Sequence, residues 1–506
     1  MVMKIERLPA IRSTLQPSNH PYLTGAWTPQ HEEVNAYDLE VIEGAIPEDL
    51  DGIYLRNTEN QIHQPLGKYH PFDGDGMIHQ IDFRRGKAHY RNRFVRSRCF
   101  QAEQEAGGSL WGGLQDKPSL SRRPGFGAHG SLKDSASTDI IVHAGQAIAT
   151  FYQCGEGYVM DPETLEQLGL APWVPIDGIS AHPKVDERTG ELLFFNYSKH
   201  APYMHYGVVD ADGRLKSYTP VPLPGPRLPH DMAFSENWAI LNDFPVFWDE
   251  ALLEHNIHAV RLHDLPSRFA LVNRNDPSDI RWFDAAPTYV LHWLNAWEEG
   301  DEVVLDGYFQ NNPTPDPLPH DGGLGAMMAH IDENSFRPTL HRWRFNLRTG
   351  ETREQSLGDQ LVEFGMINQR YLAQPYRYAY STTTRPGWFL FNGFVKHDLE
   401  TGESTTITLP EGRYASEAPF APRVGAEDED DGYLVSFVID ENQGTSECII
   451  IDCKRFADGP ICRIALPHKI SSGTHSHWVG REVLERDKQA LRERAARRER
   501  MMATAA

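Results

Sequence analysis

Five stretches of the chain share one local signature: an Asp or Asn, two or three residues, a Gly, then a β-prone run. They are DFRRGKAHY (82–90), DERTGELLFF (186–195), DADGRLKSY (210–218), NLRTGETREQ (346–355) and DLETGESTTI (398–407). The Asp or Asn side chain can bond its own following backbone, and Gly supplies the positive φ a tight hairpin needs. DPETLEQLG (161–169) is a looser relative. Long windows of helical periodicity are scarce between these turns. The chain therefore reads as many short strands joined by hairpins: a propeller, a large barrel or a sandwich. At 506 residues it is too long for one sandwich of ~100 residues. The turns are also too irregularly spaced for a strict ~40–45-residue repeat. A propeller with long loop insertions fits best.

Candidate insertions are Gln101–Ser131, the helix-permissive Asp249–Pro266 and the Pro-rich Asn311–Gly325. Residues 1–40 are polar and Pro-interrupted and read as an N-terminal arm; residues 41–480 form one body with no interdomain linker. Residues 481–506 read as a basic tail, helical or disordered, with eight basic and five acidic residues. As a basic amphipathic segment it is a candidate for peripheral membrane contact; as a solvated helix it needs no partner.

Hydrophobic residues at 40% and charged residues at 24% are globular values, which excludes wholesale disorder. A net charge of −22 disfavours nucleic acid as a partner. No apolar run reaches the ~18 residues that span a bilayer. The N-terminus lacks the apolar core of a secretory signal, so a cytoplasmic protein is expected. Five cysteines without a CxxC pair offer neither a disulfide framework nor a thiolate zinc site.

Among the histidines, four local contexts stand out: His182 in SAHPKVD, His230 in PHDMAFSEN, His292 in HWLNAWEE, and His475 with His477 in GTHSHW. Each lies near a turn or strand end among apolar or aromatic residues. Their wide separation excludes a local HExxH-type loop but suits ligands carried by successive strands to one axis. Imidazole alone does not choose among Fe, Zn, Cu and Ni.

With DGIYLRNTENQIHQP…YHPFDGDGMIHQIDF (51–83) at the front, these motifs resemble, in order, those of the carotenoid cleavage oxygenase family, over about Val41 to Val479. The resemblance implies an all-β, seven-bladed β-propeller with a helical and loop cap over an apolar tunnel. It implies one Fe(II) per chain on His182, His230, His292 and His475, with His477 in a variable slot. In a strand His475 and His477 would point to the same face, and the other reading of His477 is a residue behind the ligands or on the tunnel wall. It also implies glutamates that accept from the ligand imidazoles. Glu363 in LVEFGMIN and Glu417 in YASEAPFAPR match two of them. The third position, in TFYQCGEGYVMDPETL, holds Gln153, which brings no negative charge and leaves one ligand, His230, less electron-rich. Glu156 is the rival register.

The implied reaction is dioxygenase cleavage of a conjugated C=C bond, with O₂, to two carbonyl products and no organic cofactor. GGLGAMM (322–328) reads as a flexible insertion rather than a phosphate loop. The stilbenoid branch pairs a Tyr with a Lys at the substrate phenol. Here Lys133 matches the Lys, while Phe100 stands at the Tyr position and cannot hydrogen-bond a phenolate. This favours a carotenoid or apocarotenoid over a stilbenoid or phenylpropanoid side chain. Trp282, Phe283, Tyr289, Trp293 and Trp297 are either tunnel lining or propeller core. A non-redox isomerase or hydrolase on the same metal, which would consume no O₂, and a non-catalytic propeller scaffold are the remaining readings.

Overall fold

In a computed structural model of the protein, residues 3–124, 133–247, 250–255, 260–261, 265–310, 337–384 and 389–505 are described. The expected Asn311–Gly325 insertion and GGLGAMM lie outside them. Of Asp249–Pro266, residues 250–255, 260–261 and 265–266 are described: Glu250–Leu253 is one helical turn, and Val260–Arg261 is a short strand paired with Val246–Phe247.

All five signature turns join antiparallel neighbours in one sheet. Their glycines, Gly86, Gly190, Gly213, Gly350 and Gly402, all have positive φ. In four of the five the leading side chain closes the turn on its own backbone. Asp186 Oδ1 accepts from Arg188 N at 3.1 Å, Asp210 Oδ1 from Asp212 N at 2.9 Å, and Asn346 Oδ1 from Thr349 N at 2.8 Å. Asp398 Oδ1 accepts from Glu400 N at 3.1 Å. Asp82 departs from the pattern. It pairs with Arg481, and its turn is carried by Arg85 and Gly86, both at positive φ.

The molecule is mostly β, in several antiparallel sheets. Three sheets are four-stranded: residues 139–170, 184–220, and 233–285. Each begins at one edge with its first strand in sequence (Asp139–His143, Lys184–Asp186, Ala233–Phe234). These edges, together with Trp293–Glu299 farther on, contribute to one central cavity. Burial falls from the middle of a sheet to its far edge: Glu191–Tyr197 is buried nearly throughout, whereas Leu215–Pro220 is exposed or half-buried.

The long strand Thr352–Met366 pairs first with Thr339–Asn346 and, from Val362 on, with Tyr378–Thr384, passing from one sheet to the next. The two ends of the chain are stitched together. Gly473–Gly480 pairs with Gly52–Asn60, and Val41–Gly44 pairs with Pro460–Ala465. Residues 1–40 contribute Lys4–Arg7 and Val34–Tyr37 to the edge of the first of these sheets.

Two large apolar clusters form the core, and the half-buried Phe72 and Leu291 pack against both. The basic tail is a helix, Arg481–Ala505. Leu484 is buried with Ile53, Ile140 and Val479, and Arg481 pairs with Asp51, Asp82 and Glu163. Among the described residues no helix is long and apolar enough to cross a membrane.

Candidate metal centre

His182, His230 and His292 each lie one to three residues ahead of an edge strand (Lys184–Asp186, Ala233–Phe234 and Trp293–Glu299). His475 lies in the closing strand Gly473–Gly480, where three steps, Gly473 to Ser476, oppose two, Thr58 to Arg56. This β-bulge breaks the simple alternation of faces, so strand periodicity does not carry His477 into the cluster with His475. His477 stands outside the four-histidine cluster and, like His475, lines the central cavity.

Asp231 ties these segments together. One carboxylate oxygen accepts from Trp293 N at 2.9 Å, and the other pairs with Lys184 at 2.8 Å. The sequence reading did not single out Asp231, although its place beside His230 in PHDM was the available signal. His182 has φ +63, a region disfavoured for a side-chain-bearing residue and tolerated where the surroundings enforce it. Its N–H is held by Asp139 Oδ2 at 3.2 Å.

The four histidines converge. One ligating nitrogen from each lies within 4.8 Å of all the others, and all four residues are buried. His182 Nε2 and His230 Nε2 are 3.2 Å apart. His292 Nδ1 donates to Glu363 at 2.5 Å and His475 Nδ1 to Glu417 at 3.0 Å, which leaves each Nε2 for the shared point. His292 Nε2 is buried with no hydrogen-bond partner. Burial lowers the pKa of three of the imidazoles, His475 to about 4 and His182 and His292 well below the ordinary value, so these rings are held neutral. Neutral imidazole is the ligating form. Nitrogens sharing an ion at ~2.1 Å each sit at most ~4.2 Å apart, close to the observed spread. The donor set therefore fits a metal ion.

Glu363 and Glu417 take the positions expected of them. Glu417 also accepts from Ser476 N and Oγ at 2.5 and 3.1 Å. Burial raises the pKa of both carboxyls, Glu417 to about 7, a cost that a nearby cation would offset. Gln153 is half-buried beside Tyr152, whose ring centroid is 5.9 Å from that of His230. Glu156 has Arg98 on one carboxylate oxygen at 3.2 Å and the Tyr158 hydroxyl on the other at 3.0 Å.

Two cavities reach the histidines from different directions. One, about 80 Å³, has walls including Phe72, Tyr152, Leu228, Tyr289, Phe364 and Phe389. The other, about 1070 Å³, has a mixed wall, with Asp139, Lys184 and Asp231 among apolar residues such as Met232, Phe234 and Leu294. Phe364, at φ +50, packs its ring 4.9 Å from both His292 and His475. Neither Phe364 nor Phe72 follows from periodicity, because both lie at irregular chain positions. Of the five aromatics considered for a tunnel, Tyr289 lines the smaller cavity; Phe283 and Trp293 are core. Trp282 lies under Arg268, and Trp297 stacks edge-on against Tyr376.

Phe100 and Lys133 sit together elsewhere. Phe100 is in the first turn of the helix Arg98–Ala106, packed 5.5 Å from Phe94 in a cluster with Ile62 and Met77. Lys133 is buried between Asp75 at 2.9 Å and Glu103 at 2.8 Å. This explains part of the DGDGM motif: Asp75 meets Lys133, Asp73 accepts from Leu114 N at 2.7 Å, and a Cβ on Gly76 would stand 2.2 Å from Ala136 O.

Sheets joined through their own termini around four buried imidazoles define a β-rich protein with a candidate metal site. The family described as RPE65, retinal pigment epithelial membrane protein, matches residues 27–480, and the chain belongs to it. The chain is 32% identical to the carotenoid 9,10(9',10')-cleavage dioxygenase 1 of Pisum sativum, covering 92% of this chain and 91% of that one. It is 31% identical to the isoeugenol monooxygenase of Pseudomonas putida, covering 91% and 98%. The crystal structure of Pseudomonas brassicacearum lignostilbene dioxygenase superposes with a TM-score of 0.81 at 27% identity, covering 92% and 100%. Family and relatives are oxygenase enzymes, which removes the non-catalytic scaffold reading.

Proposed function

We propose that the protein is a non-haem Fe(II) dioxygenase that cleaves one conjugated C=C bond of a carotenoid or apocarotenoid to two carbonyl products. In this reading the catalytic body, residues 41–480, is a seven-bladed propeller, and its cap holds the apolar substrate. The observation that carries the proposal is the meeting of four buried imidazoles at one point, with His230, His292 and His475 on the wall of an apolar cavity.

His182, His230, His292 and His475 would hold the iron. When bound, iron supplies the activation of dioxygen that an alkene alone does not achieve. The remaining work falls to this chain. Glu363 and Glu417 fix the Nδ1–H tautomers of His292 and His475 and so aim each Nε2 inward. Gln153 takes the corresponding place toward His230 and offers an acceptor without charge. Phe72, Tyr152, Tyr289, Phe364 and Phe389 position the alkene and keep water away from it. Both atoms of O₂ end in the two carbonyls, so no reductant is required.

A stilbenoid or phenylpropanoid substrate is the second reading, favoured by the isoeugenol and lignostilbene relatives. Against it stand a Phe100 without a hydroxyl and a Lys133 whose ammonium is already paired with two carboxylates. Mass analysis of products from iron-loaded enzyme under ¹⁸O₂, with an apocarotenal and a hydroxystilbene, decides between them. We expect two labelled carbonyl fragments from the apocarotenal. Turnover of the stilbene alone would reverse the substrate order, and unlabelled products would refute the dioxygenase reading.

A further inference from the structure

The two cavities that meet at the histidines differ in chemistry. His292 and His475 line both, His230 lines the small apolar one, and His182 lines the larger one of mixed polarity. On the apolar side a hydrated dication would meet Phe72, Phe364 and Phe389 and lose its water against groups that offer nothing in return, at large cost. On the side of the larger cavity Asp139 lies with its Oδ2 3.6 Å from His182 Nδ1, and Lys184 pairs with Asp231 at 2.8 Å on the same wall. There an ion can keep its hydration until imidazole nitrogens replace the waters. The helix Arg481–Ala505 contributes Arg486, Ala490 and Arg494 to the wall of the same cavity.

We propose that this larger cavity, which carries the charged groups the smaller one lacks, is the route by which the metal ion enters, separating iron loading from the apolar side on which the substrate is cleaved. The proposal rests on the four-histidine iron site of the preceding section. It assigns the larger cavity a role the reaction itself does not require. It also places the C-terminal helix at the metal's door rather than the substrate's.

The five native cysteines are all buried, so a cysteine introduced as Ala490→Cys can be labelled selectively with a bulky maleimide. Anaerobic apo-protein, labelled to completion by mass, is mixed with Fe(II), and bound iron is measured over time after rapid desalting. We expect the initial rate of uptake to fall by roughly tenfold or more on labelling, with the same final stoichiometry. The unlabelled variant should load at the wild-type rate. Protein loaded before labelling should keep its turnover, and pre-incubation with an apocarotenal should leave the uptake rate unchanged. An uptake rate unaffected by the label overturns the route, as does slowing by the apocarotenal alone. Failure of the unlabelled protein to bind iron at all would instead overturn the metal reading beneath it.

Discussion

At His292 the Nδ1–Glu363 contact is 2.5 Å, and at His475 the Nδ1–Glu417 contact is 3.0 Å with Ser476 sharing the carboxylate. Removing such a partner typically costs 10–100-fold in metal affinity. Glu363→Ala is therefore expected to weaken iron binding by about 10–100-fold in equilibrium titration. If Gln153 serves His230 as proposed, Gln153→Glu is expected to tighten it by adding a negative charge there. Glu59, buried with no hydrogen-bond partner at either carboxylate oxygen, makes a separate prediction. Burial raises its pKa from the ordinary 4.5 to about 8. Between these values the unfolded chain releases a proton that the folded chain retains, so stability falls as pH rises from about 4.5 to about 8. Denaturant titrations across that range should show this slope in the wild type and a flatter one in Glu59→Gln. Equal slopes would mean that Glu59 is ionised in the fold.

The hairpins were legible because their cause is local: an Asp or Asn folding onto its own backbone and a Gly at positive φ need no information from elsewhere. The four histidines were legible through their motifs, not through periodicity, and the bulge at Gly473–Ser476 shows why. One extra residue defeats the face rule that would have paired His475 with His477. The walls of the apolar cavity were not legible. Phe72, Phe364 and Phe389 are distant in sequence and meet where two core clusters adjoin. Lys133 was legible as a residue but not in its partners, since Asp75 and Glu103 reach it from a strand and a helix. Lys133→Met should leave two buried carboxylates without their cation. A loss of about 3–5 kcal/mol is expected in chemical denaturation. A loss below about 1 kcal/mol would place the pair in solvent-like surroundings.

Closure is the property of the whole molecule on which the site depends. Three histidine segments precede edge strands of different sheets, so their nitrogens meet only if the sheets are held in a fixed relation. That relation is secured by the pairing of Gly473–Gly480 with Gly52–Asn60 and of Val41–Gly44 with Pro460–Ala465. The C-terminal helix reinforces it through Leu484 and the three carboxylates on Arg481. A chain ending at Gly480 should therefore unfold at lower temperature and lose iron faster than the full chain, as followed by calorimetry and iron release to a chelator. A chain ending at Ser472 should fail to fold, because it loses both the closing strand and His475. The central claim is the shared ferrous centre. X-ray absorption at the iron edge of protein reconstituted with one Fe(II) per chain tests it most directly. Four imidazole nitrogens in the iron's first coordination shell, falling to three in His230→Ala, is the predicted result; iron bound with oxygen ligands only, or a spectrum unchanged by that substitution, would contradict it.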